Sequence, residues 1–331
     1  MGRSAHCCPL HGWSSSSQLG KAVPHPSIVK GKELQCPLHR GEKLSRGKSG
    51  LVVGIGIIFL CLQSLSAQTL NKAEDLYKRT DYAGSLALIG KQANDAATYF
   101  LKGRDYFMLG DFKKAAESLQ KACANDPRNS EYMDWLGRAY GKRAETGSPL
   151  LAPANASKAR QAFEKAVQLN GKNSEALSDL FDYYLEAPGF LGGGLDKAAQ
   201  VAQKLAVVDP PEGYFSKAQL AQKAQQFGVA EQHLRQAVAL APQQAGRWID
   251  LAKLLAKEGH TQESDQAFLE AQKVAPDAPK VWFARANAYI QQKRNIQEAK
   301  SLLEKYIHSN ITADDPPKQE AAQLLKETNG V

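Results

Sequence analysis

Two cysteine–histidine pairs near the start of the chain are the residues best suited to bind a metal ion. The tetrapeptide Cys-Pro-Leu-His occurs at residues 8–11 and again at residues 36–39. Two cysteines and two histidines would supply the four ligands of a tetrahedral zinc site. However, the pairs are far apart, each contains a proline, and no apolar residues flank them to build a small zinc fold. We therefore predict no metal site and no cofactor.

A glycine-rich segment at residues 186–198 is the second candidate for chemistry. Gly192, Gly193 and Gly194 precede a helical pattern, and a glycine-rich loop at a helix start can bind phosphate. The G-x-x-x-x-G-K-[ST] spacing is missing, and Ala198 stands where a hydroxyl residue would be needed. Asp196 would also repel an anion at this helix start. We predict an extended turn between two helices.

The remaining polar residues form no recognisable catalytic set. His233, His260 and His308 lie far apart in the sequence, and the G-x-S-x-G and H-E-x-x-H patterns do not occur. The carboxylates are scattered through amphipathic segments. We therefore predict that the protein is not an enzyme and expect no small-molecule substrate.

An apolar run near residue 50 predicts export from the cytoplasm. Lys43, Arg46 and Lys48 precede fifteen mostly apolar residues at 51–65, and small residues follow. This order is typical of a secretory signal peptide, here residues 47–67. Residues 1–46 are then a disordered or mis-annotated extension, with the true start near residues 44–52. We expect a periplasmic or secreted bacterial protein. An uncleaved anchor in the inner membrane is the alternative, and it would be the protein's only contact with a membrane.

The charge distribution argues against a nucleic-acid partner. The formal net charge is +8, but residues 1–67 contain eight Lys and Arg against two Asp and Glu, so the remainder carries only +2. A body that is nearly neutral lacks the basic footprint of nucleic-acid binding. Cys123 is the one cysteine after the leader, and we expect it to pack as a small apolar side chain.

The middle of the chain carries a 34-residue pattern that predicts pairs of helices. In residues 96–129, numbered here as positions 1 to 34 of a repeat, Gly103 stands at position 8, Gly110 at 15, Ala115 at 20 and Pro127 at 32. Small residues at positions 8 and 20 let two helices cross closely. Glycine near position 15 permits a tight turn, and proline ends the second helix. Each unit should therefore form two antiparallel helices, A and B.

The pattern recurs in units that begin at residues 130, 174, 211, 245 and 279, with a divergent pair at 68–95 before them. It resembles the tetratricopeptide repeat (TPR) family, and in particular its exported bacterial members. The resemblance implies an all-α solenoid: a right-handed superhelix of about six to seven repeats, with the repeats at 96–313 and a capping helix at 314–331. The implied function is a non-catalytic scaffold that binds a partner protein or peptide in the concave groove.

The resemblance places helix A along the groove, and its positions 2, 5, 9, 12 and 13 are expected to face a partner. We predict that phenylalanines there make apolar contacts and that basic residues hold an acidic segment or a carboxylate. The alternative is that the charges are solvated and the phenylalanines fill gaps between repeats. The predicted groove residues are Phe100, Arg104, Phe107, Arg138, Lys142, Phe215, Lys223, Lys253, Lys257, Phe283 and Asn287.

Two features qualify this expectation. The position-9 residues lack the succession of Lys or Asn, Asn, and Lys or Arg found in TPR clamps for chaperone tails, so a chaperone partner is not predicted.

The insertion at residues 143–158 contains an apolar Leu150-Leu151-Ala152 tip. This tip could contact a partner or fold back over the adjacent repeat. A membrane-tethered assembly factor of the envelope remains the alternative function.

Overall fold

The structure is a computed structural model that describes residues 67–90, 95–312 and 315–328. All regular elements in these ranges are helices, so the all-α prediction is confirmed for them. The two Cys-Pro-Leu-His pairs, the extension at 1–46 and nearly all of the predicted signal peptide lie outside the described residues. Within the described ranges, no helix has both the length and the apolar composition that crossing a bilayer requires.

The helices follow one another as antiparallel pairs. The first, α1, covers residues 67–78. The others are α2 (Tyr82–Ile89), α3 (Ala96–Met108), α4 (Phe112–Asn125), α5 (Ser130–Thr146), α6 (Ala152–Leu169), α7 (Ser174–Glu186), α8 (Leu195–Val208), α9 (Pro210–Lys223), α10 (Phe227–Leu240), α11 (Ala245–Lys257), α12 (Thr261–Val274), α13 (Pro279–Gln291), α14 (Ile296–His308) and α15 (Lys318–Glu327).

Short polar side chains start several of these helices. Asp95 accepts a hydrogen bond from the backbone N–H of Thr98 at 2.7 Å, which caps α3. Asp111 does the same for α4 through the N–H of Lys114 at 3.1 Å. A side-chain oxygen at this position satisfies an N–H group that has no partner inside the helix. The polar residues between the amphipathic segments therefore fix where the helices begin.

The turn from helix A to helix B requires a left-handed residue at position 15. Gly110 and Gly259 stand there with φ of +78° and +82°. In two other repeats the same position is taken by Gln225 and Lys293, with φ of +58° and +54°. Glycine adopts this conformation without a steric penalty. The turn geometry is thus kept even where the sequence does not provide a glycine.

The close crossing of helices A and B at position 8 has a clear steric basis. A Cβ atom added to Gly103 of α3 would lie 2.5 Å from the Cγ atom of Leu119 in α4. A Cβ atom added to Gly137 of α5 would lie 2.5 Å from the ring of Phe163 in α6. Both partners are fully buried. The predicted need for a small residue at this position therefore holds in these two repeats.

The pairs stack so that their A helices lie side by side. Helix α3 contacts α5, α5 contacts α7, α7 contacts α9, and α11 contacts α13. Each B helix also packs on the A helix that follows it. One core extends from α3 to α9, a second extends from α9 to α13, and a third lies at the C-terminal end, where Ala321 of α15 packs near Tyr306. This arrangement makes the A helices one continuous face of the solenoid.

The two insertions have different structures: the first lengthens two helices, and the second forms a long turn. At residues 143–158, α5 and α6 are both longer than the other helices, with 17 and 18 residues, and only a short turn separates them. At residues 186–198, the turn contains a 3-10 helix, Gly189–Leu191. There Gly192 and Gly194 have φ of +89° and +149°, and a Cβ atom on Gly193 would lie 1.8 Å from the carbonyl oxygen of Ala187. The three glycines are therefore needed by the turn itself.

Candidate protein-binding face

The candidate site is the face made by the A helices α3, α5, α7, α9, α11 and α13, called here the A-helix face. The contacts between successive A helices bring their exposed sides onto one surface. The predicted groove residues all belong to these helices. Their side chains, however, occupy three different environments.

Three of the four predicted phenylalanines are buried. Phe100, Phe215 and Phe283 are each less than a tenth exposed. Phe100 packs 4.5 Å, centroid to centroid, from the ring of Tyr132 in the next repeat, whereas Phe283 lies 5.2 Å from the ring of Tyr306 in its own repeat. The expectation that these position-5 rings face a partner is therefore corrected: they fill the space within and between repeats. Phe107 is half-buried and keeps part of its ring accessible.

Arg138 is not a free cation on the groove surface. Its guanidinium is buried in contact with Asp134 at 3.0 Å, Glu175 at 3.3 Å and Asp179. Burial opposes the charge of Arg138, but the three carboxylates outweigh it and raise the pKa of this guanidinium. Arg138 thus links α5 to α7 through these ion pairs.

Three more of the predicted basic residues, Arg104, Lys142 and Lys223, also have partners inside the protein. Arg104 lies 4.1 Å over the ring of Tyr77 and 3.9 Å from Glu74. Lys142 bonds Glu145 at 2.9 Å, and Lys223 bonds Glu186 at 2.7 Å. Such pairing leaves little positive charge with which to attract an acidic segment.

The last three predicted residues lie in the C-terminal half of the face. Lys253 is exposed, and Lys257 is exposed with its ammonium 5.3 Å from the ring centre of Phe227. Asn287 of α13 is half-buried. The prediction that these residues contact a partner stays a prediction.

The A-helix face is dominated instead by carboxylates, which sequence reasoning did not single out. We call this group the acidic strip. Its members are Asp134, Glu175, Asp179, Asp182, Glu212 and Asp250, with Arg138 and Arg247 among them.

The acidic strip runs across four A helices. Arg247 of α11 is 2 % exposed and pairs with Glu212 of α9 and, at 3.4 Å, with Asp250. Ser178 of α7 donates a hydrogen bond of 2.9 Å to Glu212, which links this cluster to the one around Arg138. Asp182 lies between the two clusters. Five carboxylates therefore share two guanidinium groups, and Asp182 is a sixth acidic side chain beside them.

Burial raises the pKa values of three members of the acidic strip, Asp134, Asp182 and Asp250. Burial, together with the neighbouring carboxylates Asp179, Glu212 and Glu186, raises the pKa of Asp182 well above its usual range. Burial also raises the pKa of Asp134 strongly against the opposing effect of Arg138, and it raises the pKa of Asp250 to about 6. A nearby cation stabilises the charged form of a carboxyl whose pKa is raised in this way.

A signal for the acidic strip is present in the sequence. Glu131, Glu175 and Glu212 all stand at position 2 of their repeats, a position expected to face the groove. Three successive glutamates at one register predict a line of negative charge along the A helices. The register does not show that carboxylates of the strip form ion pairs with Arg138 and Arg247.

A shallow cleft lies at one edge of the A-helix face. It has a volume of about 530 Å³ and is formed by the turn after α3 and the turn between α5 and α6. Leu109 and Leu151, both about half exposed, lie beside Arg143 in its wall. The mixture of apolar and polar groups suits a side chain of a partner better than a polar metabolite.

Little of the described structure suggests covalent chemistry. Burial raises the pKa of the Cys123 thiol to about 11, so it is not an activated nucleophile. Within the described ranges, one group of side chains, Glu231, Glu258 and His260, has the spacing of metal ligands. The sequence analysis missed it because Glu231 belongs to the preceding repeat.

Comparisons with known proteins bear on the fold. Residues 96–129 and residues 249–316 match models of the tetratricopeptide repeat family. A tetratricopeptide repeat protein from Parabacteroides merdae has a similar structure, with a TM-score of 0.54 and 14% sequence identity over 80% of this chain and 98% of that one. A thermophilic TPR protein from Thermus thermophilus has a TM-score of 0.48 and 19% identity over 57% of this chain and 98% of that one.

No curated protein sequence is a significant match to the chain. The family matches fall on segments that the structure resolves into A and B helices, and the Parabacteroides merdae protein has the same architecture at low identity. The described residues therefore form an all-α solenoid, and residues 96–129 and 249–316 within it match the tetratricopeptide repeat family.

Proposed function

We propose that the protein is a non-catalytic scaffold that binds a basic segment of a partner protein along the acidic strip. TPR solenoids present extended surfaces of this kind to proteins and peptides. The observation that carries the proposal is the acidic strip itself, where five carboxylates surround Arg138 and Arg247 and Asp182 lies beside them. Lysine or arginine side chains of a partner would compensate this excess.

Exposed glutamates lie on or beside the acidic strip. The side chains of Glu175 and Glu186 are 38 % and 37 % exposed, and Glu131 is exposed as well. The buried carboxylates Asp179 and Glu212 pair with Arg138 and Arg247 and do not have to touch a partner. Charge complementarity of this kind speeds association and selects partners more than it adds affinity.

A basic partner segment has the opposite charge to the acidic segment expected from the sequence. An acidic segment would have to displace Glu175 from Arg138 or Glu186 from Lys223 before it could bind those cations. Breaking the contact of Glu175 with Arg138 is costly because the guanidinium of Arg138 is buried, whereas Lys223 and Glu186 form an exposed pair that is worth little. A basic segment meets no such obstacle.

The first experiment compares three labelled peptides of equal length by fluorescence anisotropy: one rich in Lys and Arg, one rich in Glu, and one neutral. We expect the full chain to bind the basic peptide selectively and more weakly as salt is added. The double variant Glu131→Gln/Glu175→Gln should weaken binding by about two- to tenfold, the range expected for two exposed ion pairs.

The matched control is Glu117→Gln on α4, which removes one exposed carboxylate from a B helix. It should leave the affinity for the basic peptide unchanged. Preference for the Glu-rich peptide, lost in Lys253→Ala/Lys257→Ala, would contradict the acidic strip and favour the acidic partner. Equal binding of all three peptides would reject charge selection altogether.

We also propose that the protein works in the periplasm or outside the cell after residues 47–67 are removed. The supporting pattern is the basic stretch, the apolar run at 51–65 and the small residues that follow it. N-terminal sequencing of the protein from the envelope fraction tests this. A mature protein that retains residues 51–65 would favour the tethered form instead.

A further inference from the structure

Three side chains able to bind a metal ion meet where two repeats join. Glu231 lies on α10, Glu258 follows the last residue of α11, and His260 precedes α12. The ligand atoms of all three lie within 4.8 Å of one another, and His260 Nδ1 is 3.9 Å from Glu258 Oε2. One imidazole and two carboxylates are a ligand set suited to zinc.

The backbone holds Glu258 and His260 in a fixed relation. Gly259 between them has φ of +82°, the left-handed conformation that ends helix A. The N–H of Glu258 donates to the carbonyl of Leu254 at 3.0 Å, and the N–H of His260 donates to the carbonyl of Leu255 at 2.9 Å. This turn fixes the backbone on both sides of Gly259 before any ion binds, so binding has to order only the two side chains.

One of the three side chains has an oxygen that lacks a hydrogen-bond donor. Glu258 Oε1 is buried and has no hydrogen-bond partner in the structure. An unsatisfied buried carboxylate oxygen is unfavourable unless a cation or a donor reaches it. Because the other oxygen of this carboxylate, Oε2, lies 3.9 Å from His260 Nδ1, a metal ion bound by the group is a suitable partner for Glu258.

The charge around the group also favours a cation. Arg235 donates to Glu231 Oε1 at 2.6 Å and to Glu263 at 2.6 Å, which leaves Glu231 Oε2 available. Glu231, Glu258 and Glu263 together outweigh the single charge of Arg235. Arg235 thus positions Glu231 while the local charge stays negative.

We propose that Glu231, Glu258 and His260 form a binding site for a divalent transition-metal ion, tested here as Zn²⁺, with water completing the coordination. Zinc bonds to nitrogen and oxygen of about 2.0–2.2 Å require the three ligands to move closer together. The side chain of His260, which is 49 % exposed, has the freedom to do so. The ion would connect α10 to the turn between α11 and α12 and so join two adjacent repeats.

The test is Zn²⁺ titration by isothermal calorimetry on the full chain without a polyhistidine tag. Cys7, Cys8 and Cys36 are replaced by serine in every protein, so that the N-terminal thiols do not contribute. We expect one Zn²⁺ per chain at the site. His260→Gln and Glu258→Gln should each weaken it by at least about tenfold, since even residues behind the ligands have effects of that size.

The matched control is His308→Gln, which removes an exposed histidine elsewhere and should leave Zn²⁺ binding unchanged. Hydrogen exchange locates the ion: Zn²⁺ should slow exchange at residues 258–261 in the native chain but not in His260→Gln. The proposal is overturned by no Zn²⁺ binding, by binding that persists in both ligand variants, or by protection that appears only outside this turn.

Discussion

At the scale of single residues, Asp105 is the clearest case of a charge held in an unfavourable place. Its side chain is fully buried in α3, where one oxygen accepts a 2.7 Å hydrogen bond from Ser85 and the other has no partner. Burial raises the pKa of Asp105 to about 7, against the lowering effects of Ser85 and Arg104. Between pH 3.8 and about 7, Asp105 is therefore mostly protonated in the folded protein and mostly ionised in the unfolded chain.

This difference predicts the pH dependence of an Asp105→Asn variant. Because the folded pKa is raised, the contribution of Asp105 to stability is largest below the unfolded pKa of 3.8 and is lost as pH rises to about 7. Asparagine at position 105 does not titrate, so the variant does not lose this stability as the pH rises. The unfolding free energy of the variant, relative to the native chain, should rise by up to about 1.4 kcal/mol per pH unit in that window.

Urea unfolding at several pH values from 4 to 8 measures the effect. The control is Asp111→Asn, because the hydrogen bonds and charge of Lys114 lower the pKa of Asp111. Asp111 therefore contributes stability above its unfolded pKa of 3.8 and loses it only in stronger acid, so its replacement should leave the difference nearly flat between pH 4 and 8. A flat difference for Asp105→Asn would mean that Asp105 is not protonated in the folded state.

At the scale of helices, close contacts between glycine and its neighbours decide how repeats join. Gly213 near the start of α9 faces Ala206 of α8 in the preceding repeat. A Cβ atom on Gly213 would lie 2.3 Å from the Cα atom and 2.4 Å from the backbone nitrogen of Ala206. Backbone atoms cannot rotate away as a side chain can, so the two helices would have to separate.

We therefore expect Gly213→Ala to destabilise the protein by about 1–3 kcal/mol, the usual range for overpacking. This cost outweighs the gain of up to about 1 kcal/mol from replacing glycine in a helix. Gly228→Ala in α10 is the matched control, because nothing lies within 4 Å of its added Cβ atom. Thermal unfolding followed by circular dichroism should show a lower midpoint for Gly213→Ala and an equal or higher midpoint for Gly228→Ala. The reverse order would contradict the close approach of α8 and α9.

At the scale of the whole molecule, the solenoid is a row of repeats that each contact mainly their neighbours. Helix α15 covers the C-terminal end: Ala321 is fully buried in the core that also contains Leu303 and Tyr306. In such an array, damage at one end should spread only over nearby repeats.

The variant Ala321→Glu tests this by placing a charge in the C-terminal core. Hydrogen exchange should accelerate in α13 and α14, while α3 to α8 keep their protection. Gln323→Glu is the control, because Gln323 is exposed on the same helix and its replacement should change little. Faster exchange throughout the chain would instead indicate that the solenoid unfolds as one cooperative unit.

The repeat architecture was predictable from the sequence because its determinants are local and periodic. Small residues at position 8, such as Gly103 and Gly137, and the residue at position 15 act within one helix pair, so their spacing along the chain is sufficient information. The same periodicity correctly assigned the predicted groove residues to the A helices.

Only the tertiary structure decided which of those residues are available to a partner. Arg138 meets Glu175 and Asp179 because α5 and α7 lie side by side, and Glu231 meets His260 for the same kind of reason. These contacts depend on the rotation and offset between neighbouring repeats. The sequence of one repeat therefore predicts its helices, whereas the free charges and the buried rings of the binding face follow from how the repeats stack.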